Sequence, residues 1–286
     1  MKDNYILETE HLKYRYADGV FALKDVNIRV RQGQTTAVLG GNGAGKSTLF
    51  LNFNGILRPA SGSVSFKGKP LDYSHKGLKE LRKSVGIVFQ DPDSQLFSAS
   101  VYQDVSFGAI NMKLPEEEVR RRVETALVKT GISHLKDKPT HSLSFGQKKR
   151  AAIAGVLVME PEVLILDEPT AGLDPAGTSD IMRLLQGAQS ELGITVVIST
   201  HDIDIVPIYC GHAYVLDKGE VILEGSPKEV FREKTVLRNA NLRLPRIGHL
   251  MEILQDKDKF EFSDTAVTIS EARSTLKQWR DGQKRQ

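Results

Sequence analysis

The nine residues GGNGAGKST, from Gly40 to Thr48, constrain this chain more tightly than any other stretch. They follow TTAVL, a short apolar run, and lead into KSTLFLNFNGIL, whose apolar spacing predicts a helix. A buried strand that turns through glycines of the pattern G-x-x-x-x-G-K-[ST] into a helix builds a phosphate cradle. Glycine backbone lets successive N–H groups close around one anion, and the helix start adds positive potential. The stretch therefore predicts a nucleotide site. Gly40, Gly41, Asn42, Gly43, Ala44 and Gly45 form the cradle, Lys46 reaches the terminal phosphates, Ser47 offers a hydroxyl to Mg²⁺, and Thr48 closes the motif.

The alternation of buried strand and helix recurs along the chain. EVLILDEP and TVVISTHD are short apolar runs without alternation, as expected of strands covered on both faces of a parallel sheet. PEEEVRRRVETALVKTG and PAGTSDIMRLLQGAQSELG have helical spacing, each opening at Pro and ending at Gly. Strand and helix in turn imply a doubly wound α/β core. YILETEHLKYRY and VNIRVRQG instead alternate apolar and polar side chains, which predicts strands with one wet face. Helix signals dominate residues 92–159 and predict a helical subdomain inserted in the core. A DKGE turn joins AYVLD to EVILEG as a hairpin, and beyond residue 226 the chain reads as helical, amphipathic and basic. The expected division is a main domain over 1–225 and an extension over 226–286.

Composition bounds the class of function. Thirty-nine Lys and Arg against thirty-six Asp and Glu leave a formal charge of +3, a balance that gives no support to a nucleic-acid partner. The one cysteine, Cys210, permits no internal disulfide and reads as a small buried residue of a reducing compartment. The first residues, MKDNYILETEHLKYRY, have no apolar core of signal-peptide length, and the longest apolar run, AAIAGVLVM, is far short of the roughly 20 residues of a membrane span. The chain is expected to be soluble and to meet a membrane only through a partner.

Several positions add chemistry to the phosphate site. EVLILDEP ends a strand in Asp167, a carboxylate suited to Mg²⁺ beside the cradle, and Glu168 follows, placed to accept a proton from an attacking water. VVISTHD brings His201 to another strand end, within reach of phosphate or of Glu168. IVFQD does the same for Gln90, a neutral ligand for Mg²⁺ or water, or else a turn residue. Tyr16 is available to stack on an adenine ring, or is an ordinary strand aromatic. A second anion site is predicted at HSLSFGQ, where Ser144 and Gln147 form a capping-box pattern before an apolar run.

Taken together, Tyr16, GGNGAGKS, Gln90, LSFGQ, LILDE, AGLD and His201, in that order, resemble the ATP-binding-cassette (ABC) ATPases over residues 7–225. The resemblance implies a P-loop NTPase fold of α/β class, with an antiparallel β subdomain, an inserted helical subdomain and a small C-terminal helical extension. It implies ATP and Mg²⁺ as ligands, with Ser47, Gln90 and Asp167 toward Mg²⁺, and Glu168, His201 and Lys46 as catalytic residues. Two such cassettes dimerise head to tail, so Leu143, Ser144, Phe145, Gly146 and Gln147 would grip the partner's ATP, and Asp174 would end the D-loop. Phe145 and Gly41 depart from the family's usual glycine and proline, without loss of a contacting N–H or of the lysine.

VGIVFQDPDSQLFSASVYQDVSFG is similar to the ATPase subunits of energy-coupling-factor importers, and the LSFGQKKRAAIAGVLVM and LRLPRIGHLMEIL segments to CbiO, the ATPase of cobalt importers. The resemblance implies a peripheral protein on the cytoplasmic face of the cell membrane. Its partners would be a second ATPase subunit, of the same chain or another, a transmembrane coupling protein and a substrate-binding membrane subunit. The extension would help hold the ATPase dimer together, or simply cap its own core. Leu96, Phe97 and Val101, beside Asp91, Asp93 and Gln95, would receive a helix of the coupling protein, the alternative being that Leu96 and Phe97 are core. Nickel or a vitamin would suit the same ATPase, and a cassette acting on ribosomes or DNA is the rival of another class.

Overall fold

Two alternating strands of the computed structural model, which describes residues 4–262 and 266–283, pair antiparallel at the start of the chain. These are β1 (Tyr5–Arg15) and β2 (Phe21–Arg31), in register from Tyr5 opposite Arg31 to Arg15 opposite Phe21. Then follow β3 (Thr35–Leu39), α1 (Lys46–Phe53), β4 (Ser61–Phe66), β5 (Lys69–Pro70), α2 (His75–Ser84) and β6 (Val85–Val88). β4 and β5 complete a four-stranded sheet in the order β2-β1-β4-β5. The strand β4 carries a weak signal of its own. SGSVSF is mostly polar, and Gly62, with φ +80°, lies where a Cβ would run into the carbonyls of Glu10 and His11, so pairing with β1 makes it a strand.

Three helices come next, α3 (Val101–Asn111), α4 (Glu116–Thr130) and α5 (Phe145–Leu157), then β7 (Val163–Leu166), α6 (Pro175–Leu192), β8 (Thr195–Ser199) and α7 (Val206–Tyr209). The hairpin β9 (His212–Asp217) and β10 (Glu220–Gly225) turns at Lys218 and Gly219 and closes a six-stranded sheet, β10-β9-β3-β8-β7-β6, parallel except for β10. Every residue of β3, β7 and β8 is buried. Period-two alternation sends Val38, Ile165 and Val197 to a core shared with β1, β2 and α1, and Leu39, Leu166 and Ile198 to a core shared with α3 to α6. That is the physical content of an apolar run without alternation: both faces are dry.

The last part holds α8 (Pro227–Arg232), α9 (Lys234–Asn239), α10 (Arg246–Asp256) and α11 (Ile269–Gln283). Phe231, Leu237, Leu242 and Leu244 join the large core, while α10 and α11 share a separate small cluster around Met251, Ala266 and Ala272. Arg243 and the backbone N–H of Arg246 hold Asp204, three residues after His201. Among the described residues no helix is long and apolar enough to cross a membrane. Cys210 is buried, which pushes its thiol up to about 12.

Candidate functional site

The carboxyl edge of the parallel sheet gathers the chemistry, as open α/β sheets do. β3 leads directly into Gly40, whose φ of +152° and packing against the Leu216 carbonyl leave no space for a side chain. Gly45 is at φ +108°, and a Cβ there would lie 2.7 Å from the Ala22 carbonyl oxygen. The loop is thus pressed onto β2 and the β9–β10 turn, where the Gly219 N–H donates to the Ala44 carbonyl at 3.0 Å. Gly41 differs: its φ lies outside the left-handed region and a Cβ would meet nothing within 4 Å. Residues Asn42 to Thr48 line a cavity of about 600 Å³, and Gly40 and Gly41, which do not line it, accept from Lys46 Nζ through their carbonyls at 2.8 and 3.1 Å.

β7 runs into the two carboxylates on the opposite wall. Asp167 Oδ2 accepts from Ser47 Oγ and Oδ1 from Ser199 Oγ, both at 2.5 Å. Ser47 and Asp167 are a pair of hard oxygen donors at the cavity wall, of the kind a small divalent cation takes, with Gln90 also at its edge. Gln90 lies two residues beyond the end of β6 and is exposed. Glu168 is 5% exposed and has a left-handed backbone, φ +48°, unusual for a side chain of its size. Its N–H donates to Ser199 Oγ at 2.9 Å, and its Oε2 accepts from the His201 N–H at 3.1 Å. Its Oε1 lies 3.1 Å from His201 Nε2, out of line for a hydrogen bond, and is a buried acceptor without a hydrogen-bond partner. A carboxylate so placed can take a proton from a water in the cavity.

Burial raises the Glu168 carboxyl above the ordinary carboxylate value, with Asp167 adding to the rise and His201 and Lys46 opposing it. Burial also draws Lys46 below its ordinary value, against the pull of Glu168 and Asp167. Tyr16 lines the far wall, its hydroxyl 2.9 Å from Thr48 Oγ1 and its ring edge-on to Tyr14 at 5.1 Å. Beside it stand Val20 and Phe21, 60% and 45% exposed, an apolar face suited to a flat ring. Sequence reasoning passed over them because an aromatic at a strand start reads as a sheet residue.

The structure brings together Tyr16, Asn42 to Thr48, Gln90, Asp167, Glu168 and His201. It leaves Leu143 to Gln147, and Asp174, outside this cavity. Ser144 caps α5 in a full capping box with Gln147, and Leu143 is buried beneath it. Gly146 is spaced to pack on Leu173, and Asp174 caps α6 by accepting from the Gly177 N–H at 2.7 Å. The ring of Phe145 lies against Gly172 of the turn AGLD, where it takes up space that only a glycine leaves. Two supporting residues carried no sequence signal. Ser199 links Asp167 to the Glu168 N–H, and Lys149, 3% exposed, donates from α5 to the carbonyls of Gln90 and Glu168. A serine in a strand and a lysine in a helix are commonplace, and only the assembled fold shows what they touch.

Comparison with known proteins agrees with this geometry. Residues 23–171, just over half of the chain, match the ABC transporter family. The energy-coupling factor transporter ATP-binding protein EcfA3 of Clostridium perfringens is 67% identical over 279 residues, 98% of each chain. EcfA of Methanocaldococcus jannaschii is 53% identical over 272 residues, 95% of this chain and 97% of that one. The solved structure of cbiO1 from Clostridium perfringens, described as part of the ABC transporter complex cbiONQ, is 70% identical, with a TM-score of 0.77 over 87% of this chain and all of that one. The dimeric ATP-binding cassette MJ0796, in a post-hydrolysis state with ADP and Pi, is 28% identical, with a TM-score of 0.71 over 78% of this chain and 99% of that one. A phosphate cradle, a strand-end pair of carboxylates and a capped signature helix, in relatives matched over nearly their whole length, place this chain in the ABC transporter family as an ATP-hydrolysing subunit of an energy-coupling factor transporter.

Proposed function

We propose that the chain works as one half of a homodimer which hydrolyses Mg²⁺-ATP on the cytoplasmic face of the cell membrane and drives an importer of cobalt ions. The observation that carries the reading is the split of the chemistry: P-loop, Asp167, Glu168 and His201 share one cavity, while the capped start of α5 stands outside it. A second copy, head to tail, would bring Ser144 and Gly146 over the first copy's ATP. The dimeric cassettes among the solved relatives support that arrangement. In it Lys46 and the loop N–H groups bind the terminal phosphates, Tyr16 and Phe21 seat the adenine, and Glu168 accepts a proton from the attacking water while His201 holds its carboxylate. Mg²⁺, held by Ser47 and Asp167 with Gln90 beside them, would neutralise charge on the phosphoryl oxygens. Catalysis is then chiefly positioning and charge stabilisation.

The membrane partner has a matching surface. Between α2, α3 and α5 lies an apolar groove of about 600 Å³, with the rings of Phe97 and Phe107 edge to face at 4.8 Å and Met112 and Met159 beyond them. Asp104 fixes its lip, accepting from the N–H groups of Phe97 and Ser98 at 2.9 and 2.8 Å. Phe97 is 66% exposed and Phe107 49%, which favours docking of a coupling-protein helix over the core alternative for Phe97. Val101 is fully buried and is not part of the floor expected of it, while Gln95, expected at the polar edge, lines the groove with its amide oxygen accepting from the Phe89 N–H at 3.0 Å. The extension, with α10 and α11 only lightly joined to the main core, is the proposed second dimer contact. Cobalt as cargo rests on the likeness of the signature and tail segments to CbiO.

The test is to capture the tagged chain from gently solubilised cells, identify the membrane proteins that come with it, and reconstitute the complex in vesicles. ATP-dependent uptake of Co²⁺ is the expected result. Uptake of Ni²⁺ or a vitamin instead would overturn the cargo, and recovery with ribosomes or DNA would overturn the transport role.

A further inference from the structure

Lys149 occupies the fifth position of α5 and is 3% exposed, a burial that an ammonium rarely accepts without a carboxylate beside it. Its partners here are two backbone carbonyls. Nζ donates to the carbonyl of Glu168 at 2.9 Å and to that of Gln90 at 3.2 Å, and sits 5.3 Å from the centroid of the Phe145 ring. Burial lowers its proton affinity, while Glu168, Asp91 and Asp167 restore part of it. A methionine would fill the same space without desolvating a charge, so the cation is retained for what it holds.

What it holds is the backbone of the site. Glu168 is in the left-handed region, a strained state for a residue with a long side chain, and such states persist only where the surroundings over-determine them. Three contacts do so: the Glu168 N–H donates to Ser199 Oγ, and its carbonyl accepts both the Ala171 N–H at 3.1 Å and Lys149 Nζ. The second carbonyl that Lys149 grips belongs to Gln90, which follows the neighbouring strand β6 and lines the same cavity. Ser199 and Ala171 belong to elements next to the carboxylate. Lys149 alone reaches it from α5, the helix whose start lies outside the cavity.

We infer that Lys149 is a positioning residue for ATP hydrolysis, which aims the Glu168 carboxylate by clamping its carbonyl, and that of Gln90, to the signature helix. The inference rests on the reading of Glu168 as proton acceptor. In a head-to-tail dimer it has a further consequence: a shift of the start of α5 by the partner's ATP is passed to Glu168 through one side chain.

The experiment compares Lys149→Met, Lys149→Arg and Glu168→Gln, singly, and Lys149→Met with Glu168→Gln, in full-length protein. Misplacing a reacting group by an ångström or so costs on the order of 10²-fold. The expected result for Lys149→Met is a kcat lowered at least about tenfold, with the Kd for ATP and the thermal midpoint within about threefold and a few degrees of wild type. Lys149→Arg, which keeps a cation with several donors, should recover most of the rate. In the Glu168→Gln background, single-turnover rates should fall less than about threefold on adding Lys149→Met, because a residue that acts through Glu168 has nothing left to aim. A kcat for Lys149→Met near wild type overturns the inference. So does a loss of kcat that comes with lost ATP affinity and stability, or that is equally large in the Glu168→Gln background. If Lys149→Met does not fold, the Arg variant carries the test: wild-type stability with a loss of rate of about tenfold or more in both backgrounds overturns it. A wild-type rate for Glu168→Gln by itself would instead refute the proposed proton acceptor.

Discussion

Truncation of Phe97 to alanine separates a docking residue from a core residue, and the structure sets both magnitudes. Removing a fully buried phenylalanine ring costs about 3–5 kcal/mol. Phe97 is 66% exposed, so about a third of that is at stake, and its edge-to-face contact with Phe107 is included in the loss. The fold should therefore lose about 1–2 kcal/mol, which for a chain of this size lowers the thermal midpoint by less than about 8 °C. An aromatic at the centre of an interface typically contributes 2 kcal/mol or more, so affinity for the coupling protein should fall at least about 30-fold. The assay pairs calorimetry and ATP titration of the isolated subunit with recovery of membrane proteins on the tagged variant. Intact ATP binding with lost membrane partners is expected. A subunit destabilised by about 3–5 kcal/mol that still recovers its partners would refute the reasoning.

Four other outcomes follow from the site. Glu168→Gln should retain ATP binding but turn over on the order of 10²–10⁴ times more slowly, with an ATP-trapped dimer visible by gel filtration; a rate within about threefold of wild type would remove Glu168 from the mechanism. Ser144→Arg and Lys46→Ala chains, each inactive alone, should regain one working site per dimer when mixed, and heterodimers without activity would leave Ser144 as a helix cap only. Gly45→Ala, at φ +108° and 2.7 Å from a carbonyl oxygen, should abolish nucleotide binding, whereas Gly41→Ala meets open space and should bind ATP within about threefold of wild type; equal damage from both would contradict the loop geometry. The acid limb of the ATPase should lie above the ordinary carboxylate range, since the raised Glu168 must lose its proton to act, and His201→Ala should move it higher by removing an opposing charge. The matching sign in stability is that folding favours protonated Glu168, so stability is present at low pH and lost as pH rises through the raised value. Glu168→Gln should accordingly melt no lower than wild type near pH 8.

By itself the sequence determined the α/β core, because its signals are local: an apolar run buried on both faces, a glycine turn and a capped helix each show within about ten residues. GGNGAGKST placed a phosphate cradle between β3 and α1, and LILDE set Asp167 and Glu168 at the end of β7, since strand ends are where an apolar run stops. The polar strand β4 was not legible, for its stability comes from β1, distant in the chain, whereas α2, capped by Ser74 and basic in its last turn, carried local signals that went unread. Nor could a linear reading sort LFSASV, where Val101 points into the core and Phe97 out of it, because Asp104 turns the backbone between them. Tertiary structure alone decided that Lys149 is buried under Glu168 and Gln90, that Ser199 bridges the Asp167 carboxylate and the Glu168 N–H, and that Phe145 rests on Gly172. The physical reason is common to all three. A side chain's periodicity tells which face of its own element it lies on, but what meets that face is fixed by the packing of other elements, here α5 against β6 and against Glu168 beyond the end of β7.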